Sequence, residues 1–221
     1  MTKWKRLSRE DLARRVAKDI PAGAVINLGI GMPEMVGNYL ASSDDIVVHC
    51  ENGIVGSGPI VPDKISDLDL INAGRKPVAL AAGGHFVDHV DSFSIVRGGH
   101  LDITVMGAFQ VSVRGDLANW STGTPSSVPS PGGAMDLAVG ARQVFVMMNL
   151  FDQQGAPRLV KQCTLPLTAM RVVSRIYTDI AVFDLTADIP VVLELAEGVT
   201  VTALAEILGI EIAHSMEPER K

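Results

Sequence analysis

The sequence predicts an α/β protein, and three observations carry that prediction. A buried-strand pattern breaks into a glycine loop and then a helix-like segment across residues 24–40. Short runs rich in Val and Ile recur near 46–50, 78–82, 101–106, 144–148, 180–184 and 191–195, mostly too short for helices. Helical patterns with capping signals stand near both ends of the chain.

Composition sets the outer limits. At 221 residues, 47% of them hydrophobic and 20% charged, the chain has the balance of a folded globular protein and the length to bury a full core. With no repeat or linker in view, residues 1–221 read as one domain. A formal charge of −6 without a basic run argues against nucleic acid as a partner. No apolar run approaches the ~20 residues of a membrane span and the N-terminus lacks a signal core, so a cytoplasmic location is expected. Cys50 and Cys163 are too few for a disulfide framework or a zinc site, which suits a reducing compartment.

The elements follow in order. Ser8 and Asp11 have capping-box spacing, with Asp in place of Glu or Gln, and Leu12, Val16 and Ile20 repeat on one helical face. After the Pro21-Ala22-Gly23 turn comes the strand ending in Gly29-Ile30-Gly31, and then a helix with Pro33 near its start. A strand at 46–50 leads into a loop expected to run through Pro62. Residues 106–116 alternate like a strand, whereas Pro, Gly and Ser in 121–133 forbid regular structure, so that loop is either mobile or functional. The chain closes with a helix ended by Gly209.

Several candidate sites arise from spacing. The run Gly29-Ile-Gly31 begins like a dinucleotide fingerprint, but Glu34 stands where the third glycine belongs. What remains is a glycine loop ahead of a helix start, which suits either an anionic ligand or a plain tight turn. His85, Asp88 and His89 would share a helical face if a helix followed Gly84, yet no matching third cluster accompanies them, so no metal is expected. His49 and Cys50 are strand neighbours that point to opposite faces, so His49 is poorly placed as a base for the thiol. Glu51 falls at the carboxyl end of that strand, where open α/β sheets form their ligand crevice. It is either a carboxylate that orders the loop or a catalytic one, and spacing alone does not choose.

Seven segments in order add a resemblance over nearly the whole chain: Asn-Leu-Gly-Ile-Gly-Met-Pro, Glu-Asn-Gly-Ile-Val-Gly-Ser-Gly-Pro, Leu-Ile-Asn-Ala-Gly-Arg, Arg-Gly-Gly-His-Leu-Asp-Ile-Thr-Val-Met-Gly-Ala, Gly-Asp-Leu-Ala-Asn-Trp, Gly-Gly-Ala-Met-Asp-Leu and Cys-Thr-Leu-Pro-Leu-Thr. The sequence resembles the B subunit of family I CoA-transferases, the 3-oxoacid CoA-transferase group. The resemblance implies an open, mostly parallel or mixed sheet with helices on both faces. It implies Glu51 as the nucleophile of a ping-pong reaction that moves CoA from an acyl-CoA such as succinyl-CoA to acetoacetate or 3-oxoadipate. Carboxylates, with a reference pKa of ~4.3, need no base to activate them.

By the same resemblance, backbone N–H groups at Asn27 and Gly133 form the oxyanion site. Asn27, Arg75, Gly133 and Ala134 contact CoA, with Arg75 standing where relatives often have Lys. Gly29, Gly31, Asn52 and Gly53 shape the loops, which with 121–133 would exclude water from reactive intermediates. Coenzyme A is implied as a substrate with no permanently bound cofactor, together with a partner, the A subunit, in an A2B2 or larger assembly. Met148-Asn149-Leu150 and His49-Cys50 depart from the pattern of many relatives at positions that bear on acceptor choice. The other readings are a thioester hydrolase using the same glutamate and a noncatalytic ligand-binding subunit.

Overall fold

A computed structural model describes residues 4–61, 67, 69–123 and 130–214. Ser8 caps helix α1 (Arg9–Ala17), its hydroxyl accepting from the Asp11 amide and donating to the Asp11 carboxylate at 2.8 Å. Aspartate is one methylene shorter than the glutamate of a full capping box, and here its carboxylate meets the Ser8 hydroxyl. Strand β1 (Val25–Leu28) runs into the glycine loop as the sequence predicts. The helix behind it, Pro33–Tyr39, winds as a 3₁₀ helix.

Strand β2 (Val47–Cys50) is followed by a turn at 51–53, then by β3 (Ile54–Ile60) and β4 (Val78–Phe86), each antiparallel to the one before. The loop expected to run on to Pro62 is therefore a strand as far as Ile60; Pro62 lies outside the described residues. Its Gly-Ser-Gly-Pro run hides it, because the ladder to β4 changes register between Val55 and Ser57 and again before Ile60. A methyl group on Gly56 would come within 2.8 Å of Gly84 Cα on β4, so the two backbones pack too closely for side chains.

The chain continues through α2 (His89–Arg97), β5 (Ile103–Gly107), β6 (Gln110–Ser112), β7 (Leu117–Ala118) and α3 (Ala134–Gly140). It then forms β8 (Gln143–Met148), β9 (Leu159–Val160), β10 (Val173–Thr178), β11 (Ala181–Asp184), β12 (Val191–Leu195), α4 (Val201–Leu208) and β13 (Ala213–His214). Thr200 caps α4 and Gly209 ends it at φ 63°. The strand pattern at 106–116 is divided: Met106 and Gly107 end β5, and Gln110–Ser112 pairs with β7 and β9 in a small separate sheet. Residues 124–129 of the expected loop lie outside the described residues.

Among the described residues ten strands join in the order β13-β12-β11-β10-β8-β5-β1-β2-β3-β4. The centre, β10-β8-β5-β1-β2, is parallel, and antiparallel pairs flank it on both sides. Alternation along β8 divides the core. Val144, Val146 and Met148 pack on the face covered by residues of α2, α3 and α4, while Phe145 and Met147 join Leu12, Ala13 and Val16 of α1 and Val36 of the 3₁₀ helix. Helices thus cover both faces, and the carboxyl ends of β1 and β2 open together at one end of the sheet. Among the described residues no helix is long and apolar enough to cross a membrane.

Candidate active site

β1 and β2 run parallel with Asn27 in register with His49, which brings the Asn27 side chain to the residue just past β2. Its carboxamide nitrogen donates to Glu51 Oε2 at 2.9 Å and to the His49 carbonyl at 3.1 Å. Its oxygen accepts from the Thr104 hydroxyl of β5 at 3.3 Å. Asn27 is fully buried, so this bonding fixes the carboxamide and, with it, one oxygen of a half-buried Glu51. The backbone of Asn27 lies between β2 and β5 in the ladder. Its side chain is the part that reaches the carboxylate.

A second set of bonds holds the Glu51 main chain. Ser92 on α2 donates its hydroxyl to the Glu51 carbonyl at 3.0 Å and lies 3.0 Å from His49 Nε2. With the Ser92 proton directed at the carbonyl, His49 donates through Nε2 and keeps Nδ1 bare; among the described residues buried Nδ1 has no partner. Burial pushes the His49 pKa below its ordinary value, against the opposing pull of the Glu51 charge and the Ser92 bond, which agrees with a neutral ring. His49 and Ser92 are therefore supports beneath Glu51.

The turn at 51–53 has its own requirement. Gly53 takes φ 110°, its N–H bonding the Cys50 carbonyl at 3.0 Å while its carbonyl receives the Val87 N–H at 2.9 Å. A side chain there would strike the Val87 carbonyl oxygen at 2.4 Å. Asn52 donates to the Ile71 carbonyl at 2.8 Å, tying the turn to the 71–77 hairpin that carries Arg75. Gly29 bonds the Val105 carbonyl at 2.8 Å, and the Gly31 N–H donates to the Glu34 carboxylate at 3.2 Å.

Gly133 precedes α3 and Ala134 begins it. A methyl on Gly133 would meet the Phe93 ring at 2.8 Å, so α3 and the Glu51 carbonyl rest on consecutive residues, Phe93 and Ser92, of one helix. Arg97 and Asp136 join the same two helices at 2.7 Å. Cys50, turned away from His49, lines a cavity of ≈ 830 Å³ with Glu34, Ser57, Asn72 and Gly74; Glu51 is not one of its walls. Burial raises the Cys50 pKa and keeps it a thiol.

The shared helical face of His85, Asp88 and His89 does not form. His85 sits in β4 opposite Val55, Asp88 caps α2 and His89 is its first residue, because the helix starts four residues later than that grouping requires. Spacing also missed Thr104, Ser92, Asn72, Lys76 and the use made of Glu34, none of which lies in a motif that announces a bond across the fold.

Comparison with known proteins identifies the family. The family model for Coenzyme A transferase matches residues 9–206. The B subunit of the 3-oxoadipate CoA-transferase of Pseudomonas putida KT2440 is 52% identical over 96% of this chain and 99% of its own length. The B subunit of the succinyl-CoA:3-ketoacid coenzyme A transferase of Helicobacter pylori 26695 is 40% identical over 90% of this chain and 95% of its own. An acyl-CoA transferase apoenzyme from Escherichia coli O157:H7 superposes with a TM-score of 0.74 at 19% identity, spanning 96% of this chain but only 42% of that one. The family match over most of the length, joined to near-complete relatives at this identity, establishes that the chain belongs to the Coenzyme A transferase family.

Proposed function

We propose that this chain is the B subunit of a CoA-transferase that works through Glu51. The observation that supports this reading most directly is the 2.9 Å bond from Asn27 to Glu51 Oε2 at the open end of the parallel strands. It holds one carboxylate oxygen and leaves the other to attack. The attacking oxygen adds to the thioester carbonyl of an acyl-CoA, the C–S bond breaks, and CoA departs as thiolate from a mixed anhydride. The thiolate then attacks the glutamyl carbonyl, releasing the donor's carboxylate and leaving a glutamyl-CoA thioester. An acceptor carboxylate reverses these steps, so the acyl-transfer potential is carried without a nucleotide.

Coenzyme A enters as substrate, and no resident cofactor takes part in these steps. A donor such as succinyl-CoA and a 3-oxo acid acceptor fit the names borne by the two relatives, and the 52% relative, a 3-oxoadipate enzyme, favours that acceptor. Both relatives are named as B subunits, which supports a separate A subunit in an A2B2 or larger assembly. Oxyanion stabilisation by Asn27 and Gly133, and CoA contacts at Arg75 and Ala134, belong to this proposal.

The test is to incubate the co-expressed complex with acyl-CoA, reduce it with borohydride and map the modified peptide by mass. Reduction at Glu51 is expected. A modified residue elsewhere, or none in a complex that transfers CoA, overturns the mechanism.

A further inference from the structure

Glu34 is 6% exposed, yet its carboxylate has no role in the chemistry above. It accepts from the Gly31 amide at 3.2 Å, the Asn72 carboxamide at 3.3 Å and the Lys76 ammonium at 2.8 Å. One side of this cluster is the glycine loop after β1; the other is the hairpin bridged by Ile71 and Pro77. A carboxylate buried without such donors would be costly, so the loop and hairpin are held together by its need for all three.

The hairpin tip records what this clamp demands. Arg75 donates its amide to the Asn72 carbonyl, and Lys76 donates to the Asn72 side chain, each at 2.9 Å. Hairpins of this kind usually place glycine at the left-handed position. Here Arg75 takes that conformation at φ 62°, while the glycine stands one residue earlier. The reason lies in Gly74: a methyl there would sit 1.8 Å from Glu34 Oε1. The glycine makes room for the carboxylate, and an arginine is left in a backbone state that costs about 1 kcal/mol or more. Arg75 is exposed and, among the described residues, pairs with no carboxylate. A solvent-facing cation retained in a strained position points to an anionic ligand.

We infer that Glu34 is a positioning residue for coenzyme binding: through Asn72 and Lys76 it clamps the 71–77 hairpin against the glycine loop and so holds Arg75 for a phosphate of the acyl-CoA. This rests on the function proposed above. Because Asn52 ties the same hairpin to the Glu51 turn, the clamp also fixes the distance between phosphate recognition and the nucleophile.

The experiment compares the co-expressed complex with its Glu34→Gln and Lys76→Met variants on one acyl group carried either by CoA or by pantetheine, which lacks the nucleotide phosphates. Glu34→Gln is expected to raise KM for acyl-CoA about 10-fold with kcat held within about twofold. The KM of the carboxylate acceptor and kcat/KM for acyl-pantetheine stay unchanged, and the variant adds nothing in an Arg75→Ala background. Lys76 is half exposed, so Lys76→Met carries the same test should Glu34→Gln fail to fold. An unchanged KM for acyl-CoA overturns the inference, as do equal losses on both thioesters or losses additive with Arg75→Ala. Wild-type transfer and the Glu51 adduct are measured first. Absence of either rejects the parent reading and this inference with it, whereas an active complex indifferent to Glu34 rejects the inference alone.

Discussion

Asn27 shows how one side chain ties three strands to a single carboxylate. Both its carboxamide atoms are bonded, to β2, β5 and Glu51, so replacing it by an acid of the same shape tests the bond to Glu51. In Asn27→Asp the contact of 2.9 Å becomes one between two carboxylates, which share a proton because adjacent like charges disfavour full ionisation. Turnover at neutral pH should fall about 100-fold, the loss seen when one preorganised donor is removed, and then climb with pH as the variant pair loses its shared proton. A parallel pH–rate profile for the two enzymes would refute the contact's role. The sequence made Glu51 legible as a carboxylate at a strand end, but not its partners. Asn27 lies 24 positions away and Ser92 41 away, and only strand register and helix docking bring them together. Glu34 is legible in the sequence only as a glycine missing from a dinucleotide fingerprint, because its bonds to Asn72 and Lys76 reach 38 or more positions along the chain.

At the scale of elements, α1 is fastened to the sheet by charge as well as by its apolar face. Asp19, just beyond the helix, pairs with Arg15 at 2.8 Å and Arg175 at 2.9 Å, and accepts from the Tyr177 hydroxyl at 2.7 Å. Arg15 also pairs with Glu194 on β12. Burial raises the Asp19 pKa, but the bonds from Arg15 and Tyr177 and the nearby guanidinium charges more than reverse this, leaving it below its ordinary value. A depressed carboxyl pKa gives stability that is complete above the unfolded-state value and is lost as pH falls through the folded one. Asp19→Asn should therefore cost about 2–3 kcal/mol at pH 7 by leaving two partly buried arginines short of a counter-charge, and the gap should close below about pH 4. Urea denaturation at a series of pH values measures it; a gap that persists undiminished in acid would show that packing, not charge, holds the helix. The same network explains a missed strand. Val173–Thr178 carries Ser174 and Arg175, which break the apolar run, and only the fold reveals that Asp19 and Asp184 receive the arginine and the Val144 carbonyl receives the serine. Helix α1, by contrast, was legible because its cap and apolar spacing are local.

For the whole molecule, the end of the sheet that carries Glu51 leaves apolar side chains uncovered among the described residues. Ile30 follows the first loop glycine and is 66% exposed, Phe86 opposite Ile54 is 63% exposed, and Val90, two residues before Ser92, is 73% exposed. Single exposed apolar residues are ordinary, but these three belong to segments that build or border one half-buried carboxylate. The mixed anhydride and glutamyl thioester proposed above need water kept away, and among the described residues Glu51 is left half open. A second polypeptide seated on Ile30, Phe86 and Val90 would both bury the apolar side chains and dry the site. The isolated chain is then expected to transfer little CoA, and co-expression with the A subunit to restore turnover. Val90→Asp and Ile30→Asp should weaken association by about 10-fold or more, as truncated apolar anchors at interfaces do. Because both side chains face solvent in the free chain, its melting temperature should hardly move. Sedimentation of the mixed polypeptides, set beside thermal melts of the lone chain, separates these effects, and a variant that assembles like the wild type would place the partner on another face.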